Sequence, residues 1–189
     1  MESDRLGIAI KSAQAGEPEG FSALMDAYGQ RLYGYFFRAT ASHHDAEDLL
    51  GEMMLRLVQR LKSYDDRGRF EPWLFRVAAN MVRDRIRRVK TAPAITSLSA
   101  DKGEGASLAD QIPGENAGVE AGMLGAEASD ELTAAMEKLD INTRQMILLR
   151  HFGDMSFKDI AKMFDCPLGT VLAKVHRGLR MLRELMSEQ

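Results

Sequence analysis

Residues 156–177, SFKDIAKMFDCPLGTVLAKVHR, constrain the fold of this chain more than any other stretch. Phe157, Ile160, Ala161 and Phe164 recur at helical spacing and form one apolar face. Ser156 is a capping residue for this helix, with Asp159 three positions on. Asp165-Cys166-Pro167 ends it, because proline disfavours a helical conformation in the residue before it. A second helix follows, with Val171, Val175, Leu179 and Leu182 inward and Thr170, Lys174, Arg177 and Arg180 on or near the opposite face. This is the layout of a helix-turn-helix, whose second helix enters the major groove of DNA. A plain helical hairpin with a solvated basic face has the same pattern, so the motif needs support from the rest of the chain.

The chain has 189 residues, room for one or two domains, and 45% of them are hydrophobic, enough for real cores. The single cysteine, Cys166, excludes an internal disulfide and fits a reducing compartment. The first residues lack the apolar run of a signal peptide, and no stretch approaches the roughly 20 apolar residues of a membrane helix. The expectation is a soluble cytoplasmic protein without membrane insertion. The net charge of −3 argues against nucleic acid only until its distribution is read. Residues 91–130 are strongly acidic, whereas Arg83, Arg85, Arg87, Arg88 and Lys90 crowd the end of the first 90 residues.

Residues 91–128 are rich in Gly, Ala, Ser and Pro, lack periodicity and read as a flexible acidic linker. The expected fold is all-α, with two small helical domains, 1–90 and 129–189, on either side of it. In the first, Phe21, Leu24, Met25, Tyr28, Leu32, Tyr35 and Phe36 follow a 3.6 period. Ser42, with Asp45, caps a helix whose inner face holds Ala46, Leu49, Leu50, Met53, Met54, Leu57 and Leu61. A third helix starts near Pro72 and buries Leu74, Val77, Ala78, Met81, Ile86 and Val89.

The other face of that third helix carries Trp73, Arg76, Asn80, Arg83 and Arg87 as one stripe. Arginines neutralise phosphates, an amide reads a base edge and an aromatic stacks on an unpaired base. For Trp73 alone, burial in the core explains the residue equally well. The second helix presents Asp45, Asp48 and Glu52, with Arg56 a turn further. No nucleophile or pocket-forming loop accompanies these carboxylates, so a protein-docking face suits them better than catalysis or metal binding.

Together the segments FSALMDAYGQRLYGYFF, DAEDLLGEMMLRLVQRLKSYD, GRFEPWLFRVAANMVRDRIRR and LDINTRQMILLRHFGDMSFKDIAKMFDCPLGTVLAKVHRGLRMLREL resemble the extracytoplasmic-function sigma factors of bacterial RNA polymerase. The resemblance implies a first domain, sigma region 2, that binds the polymerase clamp helices and opens the −10 promoter element. Asp45, Asp48, Leu49, Glu52 and Arg56 are the implied polymerase contacts; Phe70, Trp73, Arg76, Asn80, Arg83 and Arg87 are the implied −10 surface. It implies a second domain, region 4, that reads the −35 element through Leu168, Thr170, Leu172, Ala173, Lys174, Arg177 and Arg180. The implied partners are core RNA polymerase (clamp helices and flap), promoter DNA and an anti-sigma factor. Asp140 stands where proline is common in the family, and Leu172 and Ala173 where basic residues or serine are common.

Two other functions compete. A conventional dimeric regulator would need a dimerisation or ligand domain where the aromatic-arginine stripe lies. A sigma mimic that titrates an anti-sigma factor could shed its DNA-reading residues, yet Trp73, Asn80, Lys174 and Arg177 are present. An enzyme fits least, with no assembled acid, base and nucleophile. His43, His44, His151 and His176 do not form a ligand spacing, and no metal or cofactor is expected.

Overall fold

A computed structural model describes residues 3–65, 68–91 and 131–187, and all regular elements among them are helices. They are α1 (Ser3–Ala15), α2 (Pro18–Thr40), α3 (His43–Leu61), α4 (Phe70–Thr91), α5 (131–137), α6 (Ile141–Phe152), α7 (Phe157–Met163) and α8 (Leu168–Ser187). The linker assigned to 91–128 lies, apart from Thr91, outside the described residues, as does the side chain of Val89.

Local chemistry sets the helix ends. Pro18 opens α2 with its φ already near the helical value, and α2 closes on Ala41 in the left-handed region, whose N–H donates to Phe37 O at 2.7 Å. The Ser42 hydroxyl accepts from Asp45 N (3.2 Å) and that of Ser156 from Asp159 N (3.1 Å), so both expected caps form. Asp140 caps α6: its carboxylate accepts from Thr143 N at 3.1 Å and from the Thr143 hydroxyl. Burial alone would raise the Asp140 carboxyl. The Thr143 hydrogen bonds and the charge of Lys174 outweigh it and hold the group below the usual carboxylate range.

Helices α1 to α4 form the first half. The inner faces of α2 and α3 meet as the spacing predicts, with Leu24, Leu32, Tyr35, Phe36, Leu49, Leu50, Met53, Leu57 and Leu61 all buried. Helix α4 begins at Phe70, two residues before the expected Pro72, and Ile86 is only half-buried. The sequence pattern assigned no role to α1. It contributes Ala9, Ile10 and Ala13 to the core, and Gln14 Nε2 donates to Leu61 O and Tyr64 O at 3.0 and 2.7 Å, closing the end of α3.

Helices α5 to α8 form the second half. Val171, Val175 and Leu182 of α8 are buried against α6, and Gly178 makes that approach possible. A Cβ on Gly178 would lie 2.6 Å from Thr143 Cγ2. Leu179 corrects the expectation: it is 47% exposed rather than inward.

The halves are not independent. Tyr35 is fully buried, edge-on to Phe75 of its own half (5.6 Å) and to Phe152 of the other (6.3 Å). Arg31 Nη2 donates to Phe152 O at 2.6 Å and to Glu71 Oε2 at 3.3 Å, while its Nη1 donates to Glu71 Oε1 at 3.0 Å. Arg144 donates to Ala39 O (3.3 Å), Arg69 pairs with Asp159 (2.5 Å), and the Arg83 guanidinium lies over the Phe164 ring (4.6 Å). The hydrogen bond from Ser156, then the Arg69 charge, hold Asp159 below the usual carboxylate range despite some burial. At the centre of this seam Gly153 meets Phe75 so closely that an added Cβ would lie 2.7 Å from Phe75 Cβ. Its φ of −98° would suit any residue, so the lack of a side chain serves the contact between halves.

Gly153→Ala should therefore loosen the seam while leaving each half folded, at a cost of about 1–3 kcal/mol typical of overpacking. Small-angle scattering should give a larger radius of gyration with unchanged far-ultraviolet circular dichroism; an unchanged radius would show that the seam absorbs the methyl group.

Candidate nucleic-acid interface

Three surfaces carry the residues singled out from sequence. On α8, Leu168, Thr170, Leu172, Ala173, Arg177 and Arg180 are exposed, next to a buried face that fixes the helix on α6. Lys174 is half-buried, and its ammonium reaches Asp140 at 3.4 Å, so part of its charge serves the α6 cap. Arg177 folds back on Ala173 O (3.3 Å) and Arg180 faces Glu184 at 3.8 Å. Both contacts are exposed and weak enough to yield to a phosphate. The turn before α8 places Asp165 at φ 47°, and Pro167 O accepts from Thr170 N at 2.9 Å to start the helix. Cys166 is half-buried in this turn.

On α4 the stripe divides. Arg76, Asn80 and Arg87 are exposed, and Arg83 is half-buried beneath α7, where its Nη2 approaches Met163 O at 3.4 Å. Trp73 is half-buried, its ring 4.6 Å from Tyr64 and 5.6 Å from Phe70. Phe70, expected on the DNA face, is only 2% exposed and lies in the core against Tyr28 and Tyr64. It supports Trp73 and the loop before α4 and offers no ring to a base. The periodicity of α4 starting at Pro72 left Phe70 in a loop; two further helical residues turn it inward.

On α3, Asp45 and Asp48 both meet Arg85 of α4, Asp48 at 3.8 Å. Glu52 holds Arg56 at 2.6 Å. Leu49, expected to touch a partner, is 3% exposed and packs in the core. In its place Leu55 and Val58 stand out at 67% and 43% exposure, and sequence reasoning passed over them. Their position at helical spacing just beyond the last acidic residue, Glu52, was the available signal. Arg56 turns from the acidic face toward α4, where it lines one cleft with Asn80 and Arg83.

A further surface was not foreseen. Phe152, Ile147, Val175, Leu179 and Leu182 line an apolar groove of about 520 Å³ where the second half meets α2, rimmed by Arg38, His151 and the Arg150–Asp154 pair. Leu179 is exposed because it borders this groove rather than the core. Among the described residues no group of His, Cys, Asp and Glu could hold a metal ion, and no helix is long and apolar enough to cross a membrane. His43 joins the packing instead, bonded to the Tyr33 hydroxyl at 2.7 Å and stacked 4.2 Å from Phe37.

Comparison with known proteins matches these two halves one by one. Residues 24–91 match the family model of Sigma-70 region 2, and residues 129–182 that of Sigma-70, region 4. The chain is 28% identical over 179 residues to the ECF RNA polymerase sigma factor SigW of Bacillus subtilis, spanning 95% of each. It is 28% identical over 185 residues to the ECF RNA polymerase sigma factor SigE of Mycolicibacterium smegmatis, covering 96% of this chain and 68% of that one. Among solved structures, CnrH in complex with the cytosolic domain of CnrY aligns over 100% of this chain and 99% of its own, with a TM-score of 0.63 at 20% identity. The sigma factor RpoE of Bartonella quintana, solved with the anti-sigma factor NepR, aligns over 88% of this chain and 94% of its own, with a TM-score of 0.56 at 20% identity. Those two likenesses concern the fold, whereas the family models and the full-length relatives concern the lineage. The chain belongs to the extracytoplasmic-function sigma factors of the sigma-70 family, the promoter-specificity subunits that bind core RNA polymerase and direct it to promoter DNA.

Proposed function

We propose that α3 docks on the polymerase, that α4 engages the opened −10 strand, and that α8 reads the −35 duplex. The observation that carries this is the pairing of two separate exposed DNA-type faces in one chain: Arg76 and Asn80 on α4, and Thr170 to Arg180 on α8. The outer face of α3 mixes Asp48 and Glu52 with exposed Leu55 and Val58, a composition suited to a protein partner and unsuited to DNA. The chain supplies no catalytic group to this process; it positions the polymerase.

The seam gives the proposal a mechanical requirement. The two elements lie about 25 base pairs apart, ~85 Å of duplex at 3.4 Å per base pair. A compact body of this chain length has a radius of gyration of about 16 Å, a diameter of roughly 40 Å. The closed chain cannot touch both elements, so the halves separate on the promoter. Residues 91–128 can span at most roughly 130 Å when extended, sufficient for that separation. An anti-sigma factor would then act by holding a state in which the faces stay apart from DNA, with the apolar groove beside Leu179 as its seat for a helix with acidic flanks. On the rim Arg38 supports that choice of partner chemistry, whereas Arg150 is already paired with Asp154 at 2.7 Å.

Three measurements test the assignments. Asp48→Lys with Glu52→Lys should weaken binding to core polymerase at least tenfold in a titration while leaving helicity intact; unchanged affinity would move the docking face elsewhere. Asn80→Ala should leave polymerase affinity alone and cut open-complex formation about tenfold, the scale of one lost base contact of ~1–3 kcal/mol. Permanganate reactivity of the −10 thymines reads that step, and melting at the wild-type rate would remove Asn80 from it. On a panel of −35 duplexes, Arg177→Ala should weaken binding to all alike and flatten the salt slope by about one unit. Leu172→Arg should instead change the preferred sequence, because exposed Leu172 stands where base edges approach the helix start. The opposite pattern would exchange the two roles.

A further inference from the structure

One cation on the outer side of α8 is already neutralised from another helix. The Lys174 ammonium lies 3.4 and 3.5 Å from the two carboxylate oxygens of Asp140. Lys174 is half-buried and Asp140 exposed, so the pair stands at the surface beside the face proposed for DNA. Asp140 has little freedom to leave. Its carboxylate caps α6 by accepting from Thr143 N at 3.1 Å and from the Thr143 hydroxyl. Burial pushes this carboxyl up, but the Thr143 hydrogen bonds and the Lys174 charge outweigh it, so the group is ionised at neutral pH. The tight approach of Gly178 to Thr143 keeps α8 and the start of α6 side by side. Lys138, Asp140, Lys174 and Arg177 line one shallow cleft there, and Asp140 is its acidic residue.

We propose that Asp140 sets the strength of −35 binding by cancelling the charge of Lys174, leaving Arg177 as the cation of this cleft that grips phosphate. An exposed ion pair is weak, and Lys174 can swing from it to a phosphate. The electrostatic outcome is the same either way. When Lys174 stays, its charge remains on Asp140. When it swings, the cap holds a bare carboxylate beside the duplex, within the roughly 10 Å over which charges act at 0.1 M salt. In both cases the two residues together add nothing to the count of neutralised phosphates, which governs affinity and its salt dependence. Arg177 differs because its contact is with a neutral group, the Ala173 carbonyl, and its charge stays whole. This inference rests on the reading of α8 as the −35 helix.

Fluorescence anisotropy of the full chain on the panel of −35 duplexes, between about 50 and 200 mM salt, reads affinity and salt slope together. Asp140→Asn retains an oxygen that accepts from Thr143 N, and asparagine caps a helix as well as aspartate does, so the charge goes and the cap stays. This variant should bind about threefold tighter at the low-salt end and steepen the slope by about one unit, on every duplex alike. Lys174→Ala should flatten the slope by about one unit in the Asp140→Asn chain, and by under about half a unit in the parent. If Asp140→Asn melts well below the parent, Asp140→Ser, which also caps, takes its place. Affinity and slope unaltered by loss of the carboxylate would overturn the proposal and leave Asp140 as a cap alone. A full unit lost on Lys174→Ala in the parent chain would overturn it too, by giving Lys174 its own phosphate. Arg177→Ala tells these failures from failure of the underlying reading: if that variant also keeps the parent slope, α8 is not the DNA-binding helix and the inference falls with it.

Discussion

The contact on which the rest depends is Phe152 against Tyr35, with Arg31 donating to the Phe152 carbonyl and Gly153 pressed on Phe75. Phe152 ends α6, so the carbonyl it presents is one that the helix itself cannot satisfy. Arg31 satisfies it from the other half and balances its own charge on Glu71. Tyr35 lies in the middle, so deeply buried that its phenol is pushed above its ordinary range. Remove this junction and, among the described residues, the halves keep only the outlying contacts of Arg69, Arg83 and Arg144. With it, the helix-turn-helix lies against the helix that carries Asn80.

Arginine does two different jobs along this chain. Arg31, Arg69 and Arg144 bridge the halves through a carbonyl or carboxylate of the opposite half. Arg76 and Arg177 remain exposed, and a surface contact such as Arg177 with Ala173 O costs little to exchange for a phosphate. Arg83 belongs to both sets, because it faces the cleft and stacks on Phe164 of α7. Under the role proposed for α4, a residue shared in this way couples promoter binding to domain separation, its guanidinium meeting either Phe164 or the strand.

The helix-turn-helix was readable because every local signal agreed: the Ser156 cap, the Pro167 break and the 3.6 period all specify the same two helices. The same holds for α2 and α3, whose apolar positions are the core. Periodicity fails where tertiary contact overrides it. Leu179 has the spacing of a core residue, yet it borders a groove, and Phe70 turns inward because α4 starts earlier than Pro72 suggests; Leu49 is core as its spacing predicts, and only the resemblance had placed it against a partner. Helix α1 is short, and exposed Ile8 blurs the apolar stripe that Leu6, Ile10 and Ala13 would otherwise mark. The seam had no sequence signal at all, because Phe152 and Gly153 read as an ordinary helix end, and only the fold brings them to Tyr35 and Phe75.

The central claim is that free chain is closed at this seam and opens when it bridges a promoter. Energy transfer between dyes on cysteines introduced at exposed Lys11 of α1 and Arg183 of α8, in a chain also carrying Cys166→Ser, measures the separation directly. Free chain should give one high-transfer population, and the complex with core polymerase and a promoter carrying both elements should give one low-transfer population. A single transfer value common to the free and promoter-bound chain would contradict the account.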